Sequence, residues 1–371
     1  TFINAYANAE NERRALEAVR EVWPNEFVTA SHEVLSEIRE FERSSTAALN
    51  SYLQPVVASY LGKLDAALAT QSFPGKLQIV QSNGGIMSTA TARKLPARTA
   101  LSGPAAGVVA GAAIAKAAGY ENLITCDLGG TSFDVSVVAG GKIAVAAQTT
   151  VDFGLVIRTP MIEITTIGAG GGSIAWTTPE GQLKVGPQSA GADPGPLCYG
   201  KGGTEPTITD AHVMLGRIPA HLLGGEIPLD AEASRTGVTE LAGRLGLTPE
   251  KCATGILEIS AWNQANALRQ ISVKRGLDVR DFMLATFLCH SISDQQPPSL
   301  ITLIQVEPSP NCYSPSASPP FLLLPSVYHH LSLWYILKHS FICHLFLALR
   351  PRSALKCKFF QRRGDCHIHW A

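Results

Sequence analysis

Apolar side chains recur at helical spacing through much of the first 120 residues. Pro55 lies inside the longest of these patterns, where a proline removes an amide donor and can kink or divide a helix. A later run consists almost entirely of Ala, Val and Gly, and Gly119 ends it. The predicted helices are residues 9–22, Glu33 to Phe41, Ser45 to about Ala67, and 105–118.

Shorter apolar runs with strand character follow, separated by glycine turns. Leu123–Cys126 and Phe133–Val138 flank the turn at Gly129–Gly130. A second turn, Gly140–Gly141, leads into a third predicted strand, Lys142–Thr149. The glycines of Rossmann and Walker loops lead into a helix, whereas these join one strand to the next. The sequence therefore predicts an α/β protein that has neither of those two nucleotide-binding loops.

Composition is typical of a compact globular protein. Hydrophobic residues make up 46% of the chain and charged residues 16%, and there are 33 glycines. Thirty Lys and Arg balance thirty Asp and Glu, so the basic surface that holds proteins on nucleic acid or acidic membranes is missing. We therefore expect no nucleic-acid partner and no membrane partner.

The final part of the chain differs from the rest in composition. Residues 288–371 hold one of the 33 glycines and three of the 30 acidic residues, and no coherent hydrophobic pattern runs through them. Their most apolar stretch, Leu331–Leu349, carries Lys338 near its middle, and a central charge is costly in a bilayer. We expect an irregular or loosely packed tail, without a membrane helix.

Cysteine usage favours a reducing compartment. The first 287 residues contain Cys126, Cys198 and Cys252, which form neither a disulfide framework nor a paired metal pattern. The amino-terminal residues are charged and lack the apolar core of a secretory signal. These observations predict a cytoplasmic protein.

The turn at Gly129–Gly130 has the chemistry of a phosphate cradle. Adjacent glycines allow backbone amides to converge on an anion, and the hydroxyls of Thr131 and Ser132 can add donors. Asp127 and Asp134 flank the turn, where carboxylates suit a hydrated Mg²⁺ or the positioning of an attacking group. The alternative is a tight hairpin whose two acids are only solvated.

Two further glycine-rich segments follow. In Ile167–Ala175 the glycines are bounded by apolar residues, which indicates packed backbone near a ligand, with Gly170 and Gly171 as candidate binding residues. A glycine bulge without a ligand is the alternative. Residues 186–211 contain closely spaced Asp, Pro and Gly turns that predict an ordered functional loop, and Asp210 is expected to cap the next helix.

Six motifs together resemble the hydantoinase A/5-oxoprolinase family. The resemblance implies an α/β fold of the actin-like ATPase kind, shared with sugar kinases and Hsp70 chaperones, and incomplete in this chain. It implies a remnant of the first lobe with connecting helices over 1–120, a core lobe with a phosphate loop over 121–287, and a non-homologous tail over 288–371. The motifs are SNGGIMS at 82–88, SGPAAGVV at 102–109, DLGGTSFDVS at 127–136, IGAGGGSIAW at 167–176, GPQSAGADPGPLCYGKGGTEPTITDA at 186–211 and MLGRI at 214–218.

The resemblance also implies a reaction, the ATP-dependent hydrolysis of a cyclic amide such as 5-oxoproline or a hydantoin. Phosphorylation of the carbonyl oxygen turns a poor electrophile into a reactive one. Gly129, Gly130, Thr131 and Ser132 match the family's second DxGGT-type phosphate loop and are implied to bind the nucleotide. Gly170 and Gly171 are candidates from the second glycine-rich segment. Asp127 and Asp134 are the implied catalytic acids, with Asp127 as the Mg²⁺ ligand. The implied partners are the cyclic amide and a hydantoinase B-like chain or domain, and a homo-oligomer is compatible with the resemblance.

Two departures from the family pattern open other hypotheses. A first DxGGT-type loop, with which the family usually opens, is not in the sequence, and after Phe287 the family's glycine-rich adenosine segment is replaced by the unusual tail. One alternative is therefore a catalytically inactive fragment or a gene-model product. Another is a subunit of an ATP-dependent ketone carboxylase.

Overall fold

A computed structural model describes residues 1–151, 154–222 and 227–288, together with the strand segments 300–308, 322–323 and 355–358. The described chain divides into two compact units. The first unit comprises Thr1–Ala110 and Ile143–Ile164, and the second comprises Gly111–Lys142 and the described residues from Thr165 onward. Both units draw on separate stretches of sequence, whereas the predicted domains are contiguous.

Among the described residues, five α-helices lie before residue 118 and three lie between residues 208 and 273. They are α1 (Glu10–Val22), α2 (Ser31–Val34), α3 (Glu40–Thr70), α4 (Thr89–Lys94), α5 (Ser102–Ala117), α6 (Ile208–Met214), α7 (Ala231–Leu245) and α8 (Pro249–Val273).

The strands are mostly short, and the longest lie in the second unit. They are β1 (Gln78–Val80), β2 (Ile86–Ser88), β3 (Leu123–Leu128), β4 (Phe133–Ala139), β5 (Lys142–Ile143), β6 (Val145–Ala146), β7 (Thr149–Thr150), β8 (Val156–Ile157), β9 (Met161–Ile162), β10 (Thr165–Ile167), β11 (Ser173–Thr177), β12 (Leu183–Ser189), β13 (His221–Leu222), β14 (Ile227–Pro228), β15 (Met283–Leu288), β16 (Leu300–Pro308), β17 (Leu322–Leu323) and β18 (Leu355–Lys358).

The first unit is organised along the long helix α3. This helix contains the predicted segment from Ser45 to about Ala67 and continues through Pro55, so the proline does not divide it. Pro55 is exposed, and the carbonyl that loses its amide partner there can bond with water. The predicted helix from Glu33 to Phe41 is also wrong, because α2 ends at Val34 and the chain is extended at Leu35.

A mixed sheet forms the centre of the second unit. Its strands lie in the order β10, β4, β3, β15, β16, β17, with β5 beside β4 and β18 beside β16. β15 runs parallel to β3, while β4 is antiparallel to β3 on the other side. The three strand segments described after residue 288 thus pair with this sheet. The prediction of an irregular tail otherwise falls outside the described residues.

Helix α8 covers one face of the sheet and forms the main core with it. Pro at the first position and a hydrogen bond from the Lys251 amide to Thr248 Oγ1 start this helix. On α8, every third or fourth residue faces the sheet. The buried core residues include Ala261, Ala265, Leu268 and Ile271 of α8 with Ile124, Cys126, Phe133, Val135 and Val137 of β3 and β4.

The predicted hairpin of β3 and β4 is confirmed, but its predicted third strand is not. Residues 142–149 form the two-residue strands β5, β6 and β7, and these pair with β4, β9 and β8, respectively. The chain passes from the second unit into the first between Lys142 and Ile143, and the pairing with β4 ends with the two residues of β5. Among the described residues, no helix combines the length and apolar character needed to cross a membrane. Leu331–Leu349 lies outside them.

Candidate functional site

The turn between β3 and β4 brings two carboxylates to one face of the sheet. Asp127 and Asp134 are direct partners in the antiparallel register, and the Gly129 amide donates to the Ser132 carbonyl at 3.0 Å to close the turn. Cys126 and Phe133, next to them in sequence, lie in the α8 core. Because side chains alternate along a strand, both carboxylates lie on the face away from that core.

The turn itself is open. A Cβ at Gly130 would meet no heavy atom of the described residues within 4 Å, apart from its two chain neighbours. The amides of Gly130, Thr131 and Ser132 donate to no acceptor in the part of the chain that the structure describes. Thr131 is exposed and Ser132 is partly exposed. Three amides and the Thr131 hydroxyl are therefore available to an anion.

The second glycine-rich segment packs directly on this turn. The amides of Gly170, Gly171 and Gly172 donate to the carbonyls of Thr131, Gly129 and Gly130, at 3.2, 3.1 and 2.6 Å, respectively. A Cβ at Gly170 would lie 2.6 Å from the carbonyl carbon of Thr131 and 2.7 Å from the Gly129 oxygen. The amides of Gly170 and Gly171 thus donate hydrogen bonds to the turn carbonyls, and these residues hold the turn in its conformation.

The third segment reaches the same turn through Ser189 at the end of β12. Its Oγ lies 3.4 Å from the Thr131 hydroxyl, and the next amide, of Ala190, donates to the Gly172 carbonyl at 2.9 Å. The three glycine-rich segments of the sequence therefore meet at one place. Sequence reasoning did not identify Ser189, because a serine in a glycine-rich loop is not distinctive.

The two carboxylates have different surroundings. Asp134 is buried and accepts hydrogen bonds from Ser132 Oγ, at 2.9 Å, and from Thr166 Oγ1. Asp127 accepts no hydrogen bond from a donor among the described residues. Burial, and then the charge of Asp134, raise the pKa of Asp127 to about 6. A carboxylate without a donor beside an anion cradle is a suitable Mg²⁺ ligand, while Asp134 is fixed in place by its two hydroxyl partners.

We expect replacement of Asp127 by asparagine to stabilise the chain in a pH-dependent way. The ordinary aspartate pKa of 3.8 rises to about 6 on folding, so the folded state binds more protons between these values. The contribution of Asp127 to stability therefore falls as the pH rises through this window and is level above it. Thermal unfolding from pH 3.5 to 8 should show that the advantage of Asp127→Asn grows between pH 4 and 6. An advantage that is the same at every pH would contradict the assignment.

A metal centre made of protein ligands alone is not present in the described residues, which contain no group of three or more His, Cys, Asp or Glu side chains placed to hold an ion. Mg²⁺ often takes one or two carboxylates and completes its shell with water and substrate phosphates. Asp127 beside the open turn fits that pattern.

Helix α8 contacts the second glycine-rich segment through the side chain of Gln264. Gln264 is buried, and its Nε2 donates to the Ala169 carbonyl at 3.1 Å, in the residue that precedes Gly170. Its Oε1 is buried and has no hydrogen-bond partner among the described residues. Gln264, Leu128 and Gly170 are among the residues that line a small cavity behind the turn. Gln264 was missed because one polar residue in an apolar helix pattern has no distinctive sequence signal.

Asp210 organises the loop that follows β12. Thr207, not Asp210, is the N-cap of α6, and Asp210 takes the third helical position in a capping box, so the predicted cap is wrong. The Asp210 carboxylate is fully buried and accepts from the amides of Leu197, Cys198 and Thr207, and from two hydroxyls, Thr207 Oγ1 and Ser234 Oγ. It thereby ties the loop to α6 and α7.

Comparisons with known proteins agree with this architecture. The family model described as "Hydantoinase/oxoprolinase" matches residues 43–288. The caprolactamase subunit alpha of Pseudomonas jessenii is 41% identical over 287 residues, which are 76% of this chain and 41% of that protein. The 5-oxoprolinase of Saccharomyces cerevisiae is 32% identical over 309 residues, which are 77% of this chain and 23% of that protein.

A solved structure has the same fold. This chain matches the nucleotide-free structure of acetone carboxylase, an enzyme of ATP-dependent acetone carboxylation, with a TM-score of 0.67 and 29% identity. The match covers 76% of this chain and 40% of that one. The chain thus spans less than half of the length of each of these three proteins. The part that matches the family model includes the open turn.

Proposed function

Because the chain belongs to the hydantoinase/oxoprolinase family and has its actin-like α/β fold, we propose that it binds ATP and takes part in the hydrolysis of a cyclic amide. The observation that carries this proposal is the open turn at Gly130, with three amides that have no acceptor among the described residues and the Asp127 carboxylate beside them. The relatives named caprolactamase and 5-oxoprolinase support a cyclic amide as the substrate class.

The proposed mechanism needs positioning more than a protein nucleophile. ATP would supply the phosphoryl group that makes the amide oxygen a leaving group, and Mg²⁺ would offset the phosphate charge. The amides of Gly130, Thr131 and Ser132 would bind phosphate oxygens, helped by the Thr131 hydroxyl. Gly170 and Gly171 would keep those amides in place through the turn carbonyls. Asp127 would hold the metal ion or orient water, and Asp134 would orient Ser132.

Preorganisation of the turn would favour anion binding. The turn carbonyls already accept three amide hydrogen bonds from Gly170, Gly171 and Gly172, so the turn does not need to reorganise when an anion binds. Asp127 is protonated below its pKa of about 6, and only its charged form binds Mg²⁺. The proposal therefore includes weaker Mg²⁺-dependent nucleotide binding below pH 6.

A ketone carboxylase subunit is the second candidate function. The match to acetone carboxylase is the observation that favours it, since both reactions would begin with a phosphoryl transfer to a carbonyl oxygen. In both cases a partner chain is part of the proposal, because relatives are named as subunits alpha and gamma of larger enzymes. A hydantoinase B-like chain or domain suits the cyclic-amide reaction.

A cytoplasmic location belongs to the same proposal. Cys126, Cys198 and Cys252 are buried and free, which suits a reducing compartment. Burial raises the pKa of the Cys198 thiol, and Asp210 raises it further, so this cysteine is not placed to act as a nucleophile.

Phosphate release from ATP is the direct test. Wild type and Gly130→Asp are compared with no addition, with 5-oxoproline, caprolactam or a hydantoin, and with acetone plus bicarbonate. Turnover that depends on a cyclic amide and is lost in the variant supports the first proposal. Turnover that depends on ketone and bicarbonate supports the second. Equal background release by both proteins, with and without an added hydantoinase B-like chain, would favour the inactive fragment.

A further inference from the structure

We propose that the Ser189 hydroxyl is a further ligand of the phosphate-binding turn and donates to a phosphate oxygen of the bound nucleotide. The inference rests on the proposed function, since it assumes that the turn binds ATP. Ser189 is 58 residues from Thr131 in sequence, yet their hydroxyl oxygens lie 3.4 Å apart in a solvent-exposed contact. Phosphate oxygens bound by the Thr131 hydroxyl are thus within reach of Ser189.

The position of Ser189 is fixed by its own backbone surroundings. It ends β12 opposite Ser173 in the register with β11, and the following Ala190 amide donates to the Gly172 carbonyl at 2.9 Å. The Gly191 amide donates to Ser189 Oγ at 3.1 Å. Since that bond uses a lone pair of the oxygen, the hydroxyl proton stays available for donation.

The Ser189 hydroxyl proton makes only a weak hydrogen bond, to Thr131 Oγ1. The distance of 3.4 Å to Thr131 Oγ1 is long for a bond between two hydroxyls, which is strongest near 2.7–2.8 Å. A phosphate oxygen is charged, and charge-assisted hydrogen bonds are shorter and stronger than neutral ones. Rotation of one hydroxyl would exchange a weak bond for a strong one without movement of the backbone.

Gly172 is the residue that allows this approach. A Cβ there would lie 3.0 Å from Ser189 Oγ and 3.0 Å from the Gly130 carbonyl oxygen. Only a glycine lets the serine hydroxyl and the turn carbonyl share this space without displacement. The three glycine-rich segments therefore form one binding surface, and Ser189 is its contribution from the third segment.

The test is equilibrium binding of Mg·ATP and of inorganic tripolyphosphate to the whole chain by titration calorimetry. We expect Ser189→Ala to weaken the binding of both about tenfold, which is typical for a lost hydrogen bond to a charged group. Ser189→Asp should weaken it more, because a carboxylate would face the phosphates. Gln188→Ala, at an exposed position one residue away, is the matched control and should bind like wild type. Thermal unfolding midpoints verify that each variant is folded.

The outcomes separate the two proposals. If Thr131→Val loses affinity while Ser189→Ala and Ser189→Asp bind like wild type, the role of Ser189 is refuted and the turn remains the phosphate site. If wild type itself binds neither Mg·ATP nor tripolyphosphate, the proposed function fails and the inference fails with it. If tripolyphosphate binding is unchanged while Mg·ATP binding falls, Ser189 does not contact phosphate and the inference is wrong.

Discussion

Replacement of Gly170 by alanine is expected to abolish nucleotide binding and to destabilise the chain by about 3 kcal/mol. The new methyl group would lie 2.6–2.7 Å from backbone atoms of Gly129, Gly130 and Thr131. Backbone cannot rotate away as a flexible side chain does, so the turn itself has to move. The three amides that would bind phosphate move with it. Urea unfolding and Mg·ATP titration measure the two effects.

Gly243→Ala is the matched control for this substitution. Gly243 is exposed within α7, and a Cβ there would meet no heavy atom of the described residues within 4 Å, apart from its chain neighbours and the backbone of its own helix. Since alanine is favoured over glycine inside a helix, this variant should be more stable by up to about 1 kcal/mol and should bind nucleotide normally. A Gly170→Ala protein that unfolds and binds like wild type would show that the two segments are not packed as described.

Asp210→Ala is expected to cost about 3–5 kcal/mol of folding free energy. The substitution leaves three buried backbone amides and two hydroxyls without their acceptor. Each unpaired buried donor carries a desolvation penalty that no new contact offsets. The loop from Pro194 to Thr207 should lose its fixed conformation first. Hydrogen exchange of the Cys198 amide measures that local effect, and chemical unfolding measures the total.

Asp230→Ala provides the comparison. Asp230 also accepts from a helix amide, that of Ala233 at 2.8 Å, but it is exposed and caps α7 in contact with water. Loss of an exposed cap typically costs about 1 kcal/mol. Equal destabilisation by the two substitutions would mean that the Asp210 carboxylate is no more important than an ordinary cap.

The sequence was sufficient for the hairpin and its turn because their signals are local. Apolar runs on either side of Gly129–Gly130 determine two strands, and the acids at 127 and 134 follow directly from the alternation of side chains. The packing of Gly170 against the turn was not predictable in the same way. The sequence does not distinguish a glycine that allows another backbone to pack closely from a glycine that allows the chain to turn. Only the fold distinguishes the two.

Buried polar residues were the other limit of sequence reasoning. Residues 9–22 suggest an ordinary surface helix, yet Glu12 in α1 is buried and accepts from Ser31 Oγ at 2.5 Å and from the His32 amide at 2.9 Å. Burial alone would raise the pKa of Glu12, but these hydrogen bonds and one from the Phe2 amide outweigh it and lower the pKa to about 2. Such partners are distant in sequence, so no local pattern reveals them.

The parallel pairing of β3 with β15 has a consequence for biosynthesis. Residue 123 pairs with residue 283. The edge of β3 that pairs with β15 therefore stays unpaired during synthesis until about 160 further residues have been added. During that interval the hairpin of β3 and β4 presents a row of unsatisfied backbone groups, the kind of edge that promotes aggregation. We therefore expect a nascent chain that stalls before residue 283 to be prone to aggregation.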